Sequence, residues 1–473
     1  MIPRHLLLRA VLGVSIFVGG ATGAGCAENG DIADSQSSDV TSSDPLAKAG
    51  ERYAKLVYTR APYDGTVDGR SEFDSQTFLP TKAADDAAQM ELKATLAELQ
   101  NINREALSPE KRIQYDMLKS VVVAHEREAR SCFDRLLGET YRDNLITRFD
   151  TFVTVHAINS ESRAKSYMTR LQAIVSLVDQ FESNMKEGLK AGVVSPQSGT
   201  QELINIYDRF LKAEIKDWNI VSGIPSAKDF SGAESLKRQV QSLVTEAIKP
   251  RLVKHREFLA AVYLPKSKAT LGYGDLPGGV ACYESKIQKL AETTLPASKL
   301  HELGEVEMSK LQKEIVVIAN KMKPGSNFRT IGAVAQMVRD DKALRFGSAG
   351  QVKDVANAAI ARAKAKSKTV FNRLPTTDPL IAAIPPEAEA TPNDAYYLLG
   401  SSGEKRPGEF RIGLTGLDET PNITFESIVF HEAIPGHHFQ EALADELSQS
   451  TKAPGYMKVI YSLAYVEGWA LYA

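Results

Sequence analysis

The segment "SPEKRIQYDMLKSVVVAHEREAR", residues 108–130, carries the clearest helical pattern in the chain. Ser108 is a preferred N-cap residue, and Pro109 suits the first helical turn, where a backbone N–H has no helical partner. Apolar residues then recur at steps of three or four, which is the spacing of one helix face. They are Ile113, Met117, Leu118 and Val121. The segment therefore predicts an amphipathic helix that buries this face.

The same periodicity covers much of the remaining chain. We predict further helices at about residues 83–105, 161–190, 198–217, 233–262, 297–323, 328–340 and 350–372. Strand signals are sparse, and the best of them is "GEFRIGLTG" at residues 408–416. Apolar residues alternate with other residues there, as in a half-buried strand. The sequence thus predicts a mainly α protein, a multi-helix body with a small β-sheet.

Composition places the chain among ordinary globular proteins. Of its 473 residues, 43% are hydrophobic and 25% are charged, so it can bury one large core or two to three smaller ones. The formal net charge is −2. Such a balanced charge gives no reason to expect nucleic acid or an anionic membrane surface as a partner.

The N-terminus has the features of a bacterial export signal. Two arginines precede an apolar run at residues 10–18, which is too short to span a bilayer as a mature helix. Small residues then lead to Cys26, as in a lipoprotein cleavage box, although Gly23 stands where such a box usually begins with leucine. We predict a signal peptide over residues 1–26 that is lipidated at Cys26, with plain secretion as the alternative.

The rest of the chain divides into a tether and a body. Residues 27–45 are rich in Ser and Asp, which predicts a flexible tether, and residues 46–473 form the expected helical domain. An amphipathic pattern at 461–473 continues to the last residue without a stop signal, so we expect the C-terminal part of this domain to be missing. Cys132 and Cys282 remain, either as a disulfide or as buried free thiols.

The segment "VFHEAIPGHHFQEAL" (429–443) concentrates histidines beside a glutamate. The helical zinc motif H-E-x-x-H would place its second histidine four residues after His431, where this chain has Pro435. On a straight helix, His437 would point roughly 120° away from His431. His438 would share the face of His431 but lie roughly 10 Å along the axis. A straight helix therefore brings neither residue to a shared ion.

Pro435 and Gly436 offer a way to bend the helix. Proline cannot donate the helical hydrogen bond, and glycine tolerates unusual dihedral angles, so the pair could form a bulge that absorbs two extra residues. His437 would then take the place of the second histidine of H-E-x-x-H. Glu432 would face the open position of the metal as general base.

The third ligand must come from a more distant segment. Glu467 follows His437 by 467 − 437 = 30 residues and stands among apolar neighbours in "YVEGWALYA". A buried carboxylate needs a partner, and a metal ion is one such partner. A paired structural carboxylate is the alternative. His438 is either a supporting group or an alternative ligand.

At these residues the chain resembles the bacterial domain-of-unknown-function family 885. "HEAIPGHHFQ" and "EGWALYA" are similar to two signature segments of that family, which is grouped with the gluzincin metallopeptidases. The resemblance covers roughly residues 45–473. It implies a helical metallopeptidase-like fold in which His431, His437 and Glu467 bind one zinc ion and Glu432 is the base. The family continues beyond the glutamate helix, so part of the groups that stabilise the transition state is expected outside this chain.

Two functions follow as expectations. The first is a zinc-dependent hydrolase, a peptidase that cleaves peptides with a metal-activated water and contacts them through Tyr396, Tyr397 and Arg406. The second is a catalytically impaired, membrane-tethered binding or scaffold lipoprotein that retains the metal-site residues. In both cases we expect an exported protein that faces the periplasm or cell surface, anchored in the membrane if Cys26 carries lipid.

Overall fold

Helices form most of the structure, as the apolar periodicity predicts. The computed structural model describes residues 44–68, 70–149, 156–270, 272–384, 395–400, 407–418, 421–451 and 454–473. The signal segment with Cys26, and all but the end of the tether, lie outside these residues. We expected one domain over residues 46–473. The described residues cluster instead into two compact units, and each is described here by itself.

Unit 1 contains the described residues up to Lys289 together with Gly455–Tyr461. Its helices are α1 Pro45–Arg60, α2 Pro62–Val67, α3 Lys82–Gln100, α4 Pro109–Ser131, α5 Asp134–Leu137, α6 Glu161–Gln172, α7 Ile174–Ala191, α8 Gln197–Lys212, α9 Asn219–Ser222, α10 Ala233–Leu243, α11 Lys249–Phe258 and α12 Gly279–Ala291. The boundary of the unit falls in the last turn of α12. Among the described residues, no helix is both long and apolar enough to cross a bilayer.

Helix α4 confirms the predicted helix but corrects its buried face. The Ser108 hydroxyl accepts a hydrogen bond from the Lys111 N–H, so Ser108 is the N-cap. The helix buries Tyr115, Leu118 and Val122. Two of the predicted core residues, Ile113 and Met117, are 62% and 39% exposed. The buried stripe is centred near Leu118 and Val122, and Ile113 and Met117 lie beyond its edge.

The predicted helix at 233–262 is continuous but contains two wider turns. Helices α10 and α11 are joined by the π-helical segment Val244–Ile248, and a second π segment, Leu259–Tyr263, follows α11. The Lys249 N–H donates to the Val244 carbonyl, five residues back. Since Pro250 cannot donate at the next position, the helix widens just before it. The buried residues at its start follow at steps of four: Val240, Val244, Ile248 and Leu252.

Long-range contacts hold unit 1 together. Cys132 and Cys282 form a disulfide across 150 residues of sequence, which resolves the open choice between paired and free cysteines. The guanidinium group of Arg170 is buried and donates hydrogen bonds to the carbonyl groups of Pro62, Phe73 and Gln76. This side chain thus joins α6 to the segment after α1.

Unit 2 contains the described residues from Leu290 to Pro454 and Ser462–Ala473. Its helices are α13 Ala297–Met322, α14 Ile331–Asp340, α15 Ala349–Ser367, α16 Phe425–Glu432, α17 His437–Thr451 and α18 Leu463–Tyr472. Its strands are β1 Leu380–Ala383, β2 Ala395–Leu398 and β3 Glu409–Ile412.

The predicted small sheet lies beside the histidine helix. Strand β3 is central, pairing parallel with β1 and antiparallel with β2. It buries Phe410 and Ile412, two of the alternating residues in the predicted strand, whereas Leu414 lies beyond its end. Strand β2 packs against α16. The mainly helical class with a small sheet is therefore confirmed.

Candidate metal centre

Helix α16 presents the first two residues of the motif. It buries Phe425 and Val429 in the core of unit 2 and ends at Glu432, because Ala433 leaves the helical conformation. His431 and Glu432 therefore stand in the last helical turn. Glu432 is only 2% exposed. The helix is thus fixed on its apolar side while its end carries the polar groups.

The turn between α16 and α17 accommodates two extra residues. The Gly436 N–H donates to the Phe430 carbonyl at 2.9 Å, and the Phe439 N–H donates to the Ala433 carbonyl at 3.2 Å. Both bonds span six residues, whereas an α-helical bond spans four. We expected a bulge inside one helix. The structure shows instead that the helix stops and that a new helix begins at His437.

Glycine is required at position 436. A Cβ atom built there would overlap the backbone carbonyl oxygens of Phe430 and His431. The neighbouring Ile434–Pro435 peptide bond is cis. The Pro-Gly pair therefore belongs to a tight turn whose backbone approaches the end of α16, and a larger residue would push that turn away.

This turn brings three polar side chains together. The His431 Nε2 atom lies 3.6 Å from Glu467 Oε2, and the His437 Nε2 atom lies 3.8 Å from the same oxygen. The two imidazole rings are nearly perpendicular, with centroids 4.7 Å apart. His431, Glu432 and His437 also each offer a ligand atom within 4.8 Å of the others. The residues predicted as ligands and base thus form one cluster.

The cluster contains buried polar atoms without hydrogen bonds. Within the described part of the chain, His431 Nε2, both ring nitrogens of His437 and Glu467 Oε1 have no hydrogen-bond partner. Burial of such atoms costs free energy unless a partner compensates it. In a tetrahedral zinc site, neighbouring ligand atoms are about 3.4 Å apart. The distances to Glu467 are close to this value, so two imidazoles and a carboxylate fit the requirements of zinc.

Burial also favours the protonation states that metal binding needs at the histidines. It lowers the pKa of His437 to about 4, with the nearby His431 acting in the same direction. Burial likewise lowers the pKa of His431, while a hydrogen bond with the backbone of Ala470 opposes the change. Metal ions bind the neutral imidazole. Burial raises the pKa of Glu467, which a nearby cation would reverse.

His438 has a different environment from its neighbour. It is fully buried, and its Nε2 atom lies 2.8 Å from the Thr377 carbonyl oxygen, to which it donates. Its Nδ1 atom then accepts from the Tyr397 hydroxyl at 3.1 Å. Both ring nitrogens are thus engaged away from the cluster. Of the two candidate histidines, the geometry places His437 at the cluster and His438 behind it.

The expected substrate contacts are not exposed groups. Tyr396 and Tyr397, on β2, are 6% and 3% exposed. Tyr397 bonds to His438, and Tyr396 bonds to Arg411, which lies opposite it on β3. Arg406 lies outside the described residues. A role for these three residues in substrate binding stays a prediction.

One contributor to the centre was not recognised in the sequence. The indole N–H of Trp469 donates a 2.7 Å hydrogen bond to the carbonyl of Pro435, inside the turn between the histidines. Its place in "EGWALYA", two residues after Glu467, was the available signal, but spacing alone does not identify its partner.

Comparison with known proteins places the chain in a family. No curated protein matches it. A "putative lipoprotein" from Colwellia psychrerythraea has a similar structure, with a TM-score of 0.74 and 18% identity over 91% of this chain and 77% of the other. A "putative lipoprotein of unknown function" from Shewanella oneidensis gives 0.62 and 17%, over 90% and 76%. These similarities show the fold alone. The family described as "Bacterial protein of unknown function (DUF885)" matches residues 62–473, and the chain belongs to it.

Proposed function

We propose that this chain is a zinc-dependent hydrolase that acts on peptides or peptide-like amides. The main support is the meeting of His431, His437 and Glu467 at distances suited to one ion, with buried ring nitrogens that lack hydrogen-bond partners. Two histidines and a glutamate are a ligand set of catalytic rather than structural zinc sites, because they leave a position open. The ion itself is part of the proposal.

The residues of the cluster have separate roles in this proposal. His431, His437 and Glu467 would hold the ion, and a bound zinc ion supplies Lewis acidity toward a carbonyl oxygen and toward water. Glu432 lies beside the ligands, with Oε1 3.9 Å from His431 Nε2. Its carboxylate would accept a proton from the attacking water and pass it to the leaving amine. The buried wall of α16 keeps this carboxylate in place.

Metal content tests the ligand set. We expect purified wild-type protein to retain about one zinc ion per chain after dialysis, and His431→Ala, His437→Ala and Glu467→Ala each to lose most of it. His301→Ala is the matched control, because His301 lies on the surface of α13 with its side chain 78% exposed. Zinc is measured by mass spectrometry. Equal zinc in the wild type and in all four variants would exclude the site.

Hydrolysis tests the role of Glu432. We expect Glu432→Gln to retain zinc and to lose about 10²- to 10⁴-fold in the rate of cleavage of a mixed peptide library, since the amide cannot accept the proton. Cleavage is followed by mass spectrometry. Wild-type protein that binds zinc without cleaving any peptide would favour the alternative function, a tethered binding or scaffold lipoprotein.

We also propose that the protein is exported and anchored through lipid on Cys26. The sequence of residues 1–26 supports export, and both solved structures with this fold carry lipoprotein descriptions. Metabolic labelling with a fatty-acid analogue, compared between wild type and Cys26→Ser, measures the modification. Equal labelling of the two proteins would contradict it.

A further inference from the structure

The third proposed ligand depends on contacts that the covalent chain does not supply. Between α17 and α18, residues Gly455–Tyr461 belong to unit 1, and Tyr456 is buried in a core of that unit. The chain therefore leaves unit 2 after α17 and returns to it at Ser462. Because of this detour, the position of Glu467 relative to His431 and His437 must be set by non-covalent contacts within unit 2.

One hydrogen bond joins the glutamate helix to the histidine turn. The Trp469 Nε1–H group donates to the Pro435 carbonyl at 2.7 Å. Pro435 lies between the two histidines of the cluster, and Trp469 lies two residues after Glu467. Residues two apart on a helix point in different directions, at about 200°. The indole therefore cannot take part in the cluster itself, and it acts on the helix that carries Glu467.

Aromatic packing fixes the direction of this bond. The Trp469 ring is stacked with Phe439 of α17, with centroids 6.1 Å apart and an interplanar angle of 15°. It also contacts Phe371, at 6.0 Å. The indole is thus held between two rings, and its N–H group points at the turn. Restriction of this kind reduces the entropy that the hydrogen bond must offset.

We propose that Trp469 is a positioning residue of the metal centre, which sets Glu467 against the two histidines by fixing α18 to the Pro435 turn. This inference rests on the proposed zinc site. Helix α18 also contributes the Ala470 backbone that bonds to His431, so one docked helix affects two of the three ligands. Groups that orient metal ligands commonly change metal affinity by about 10- to 100-fold when they are removed.

Trp469→Phe is the variant that tests the hydrogen bond. It keeps an aromatic ring between Phe371 and Phe439 but removes the N–H donor. We expect at least about tenfold weaker zinc binding, measured by competition with a chromophoric chelator on the purified full chain. Phe371→Leu is the matched control, because it alters the same aromatic cluster and leaves the N–H donor in place. We expect its affinity to stay within about threefold of the wild type, well short of the tenfold loss.

A double-mutant cycle shows whether Trp469 acts through Glu467. In a Glu467→Gln background the carboxylate no longer needs positioning, so adding Trp469→Phe should change zinc affinity by less than about twofold. Equal losses in both backgrounds would show a general effect on the fold and overturn the inference. Wild-type zinc binding that Trp469→Phe leaves unchanged would overturn it while the proposed function stands. Absence of zinc binding by the wild type would overturn both.

Discussion

Adjacent histidines have opposite environments at the N-terminus of α17. Within the described residues, neither ring nitrogen of His437 has a hydrogen-bond partner, whereas His438 is bonded through both nitrogens, to Tyr397 and Thr377. A polar ring that is buried and unbonded is unfavourable unless an ion or ligand compensates it. A ring that is buried and fully bonded is a structural element. The first residue is therefore suited to binding and the second to support.

This contrast predicts different effects of the same substitution. We expect His437→Gln to lose zinc with little loss of stability in the metal-free protein, because no hydrogen bond is removed. His438→Gln should retain most of the zinc but lose about 1–3 kcal/mol of stability, since at least one buried partner is left unpaired. Zinc content and urea unfolding in the presence of a chelator measure the two effects. Zinc loss in His438→Gln alone would reverse the assignment.

At the scale of elements, residues with local signals gave reliable helix starts. Ser108, Thr330 and Ser348 each accept a hydrogen bond from the backbone N–H three residues on, which is the capping geometry that their side chains favour. The break between α6 and α7 at Ala173 has no such signal. Its dihedral angles remain close to helical, and neither glycine nor proline marks it. A single helix over 161–190 was therefore the natural but incomplete prediction.

The turn at the metal centre shows both what a sequence can predict and what it cannot. The spacing of His431 and His437 with Pro435–Gly436 between them indicates two extra residues, and the six-residue hydrogen bonds agree. The bond from Trp469 to Pro435 joins residues 34 positions apart. No local pattern specifies such a contact, because it depends on how α18 packs in unit 2. The same holds for the central position of β3 in the sheet.

At the scale of the whole molecule, composition constrained the number of cores but not their boundaries. A chain of this size allows two to three cores, and the described residues form two units. Unit 1 takes the short segment Gly455–Tyr461 from within the C-terminal part of the chain, where Tyr456 packs directly over Gly50. An exchange of this kind depends on tertiary packing. A single domain over residues 46–473 was therefore as far as periodicity alone could lead.

A buried histidine in unit 1 makes stability depend on pH. The Nε2 atom of His156 lies 2.9 Å from the Arg163 carbonyl oxygen, to which it donates, so Nδ1 accepts from the Arg170 guanidinium at 3.3 Å. Protonation of Nδ1 would place two cations against each other in a buried site. Burial first, and the charge of Arg170 in addition, lower the pKa of His156 to about 4.

Because this pKa lies below the ordinary value of 6.5, the unfolded chain binds the proton more readily than the folded chain. The resulting stability is present above pH 6.5 and is lost as the pH falls toward 4, by at most about 3 kcal/mol. In His156→Gln this proton site is absent. The difference in unfolding free energy between wild type and variant should therefore be largest near pH 7 and shrink toward pH 4.5. Urea unfolding at several pH values measures it, with the exposed-site variant His301→Gln as control. A difference that stays constant over this range would show that His156 is not the group that titrates.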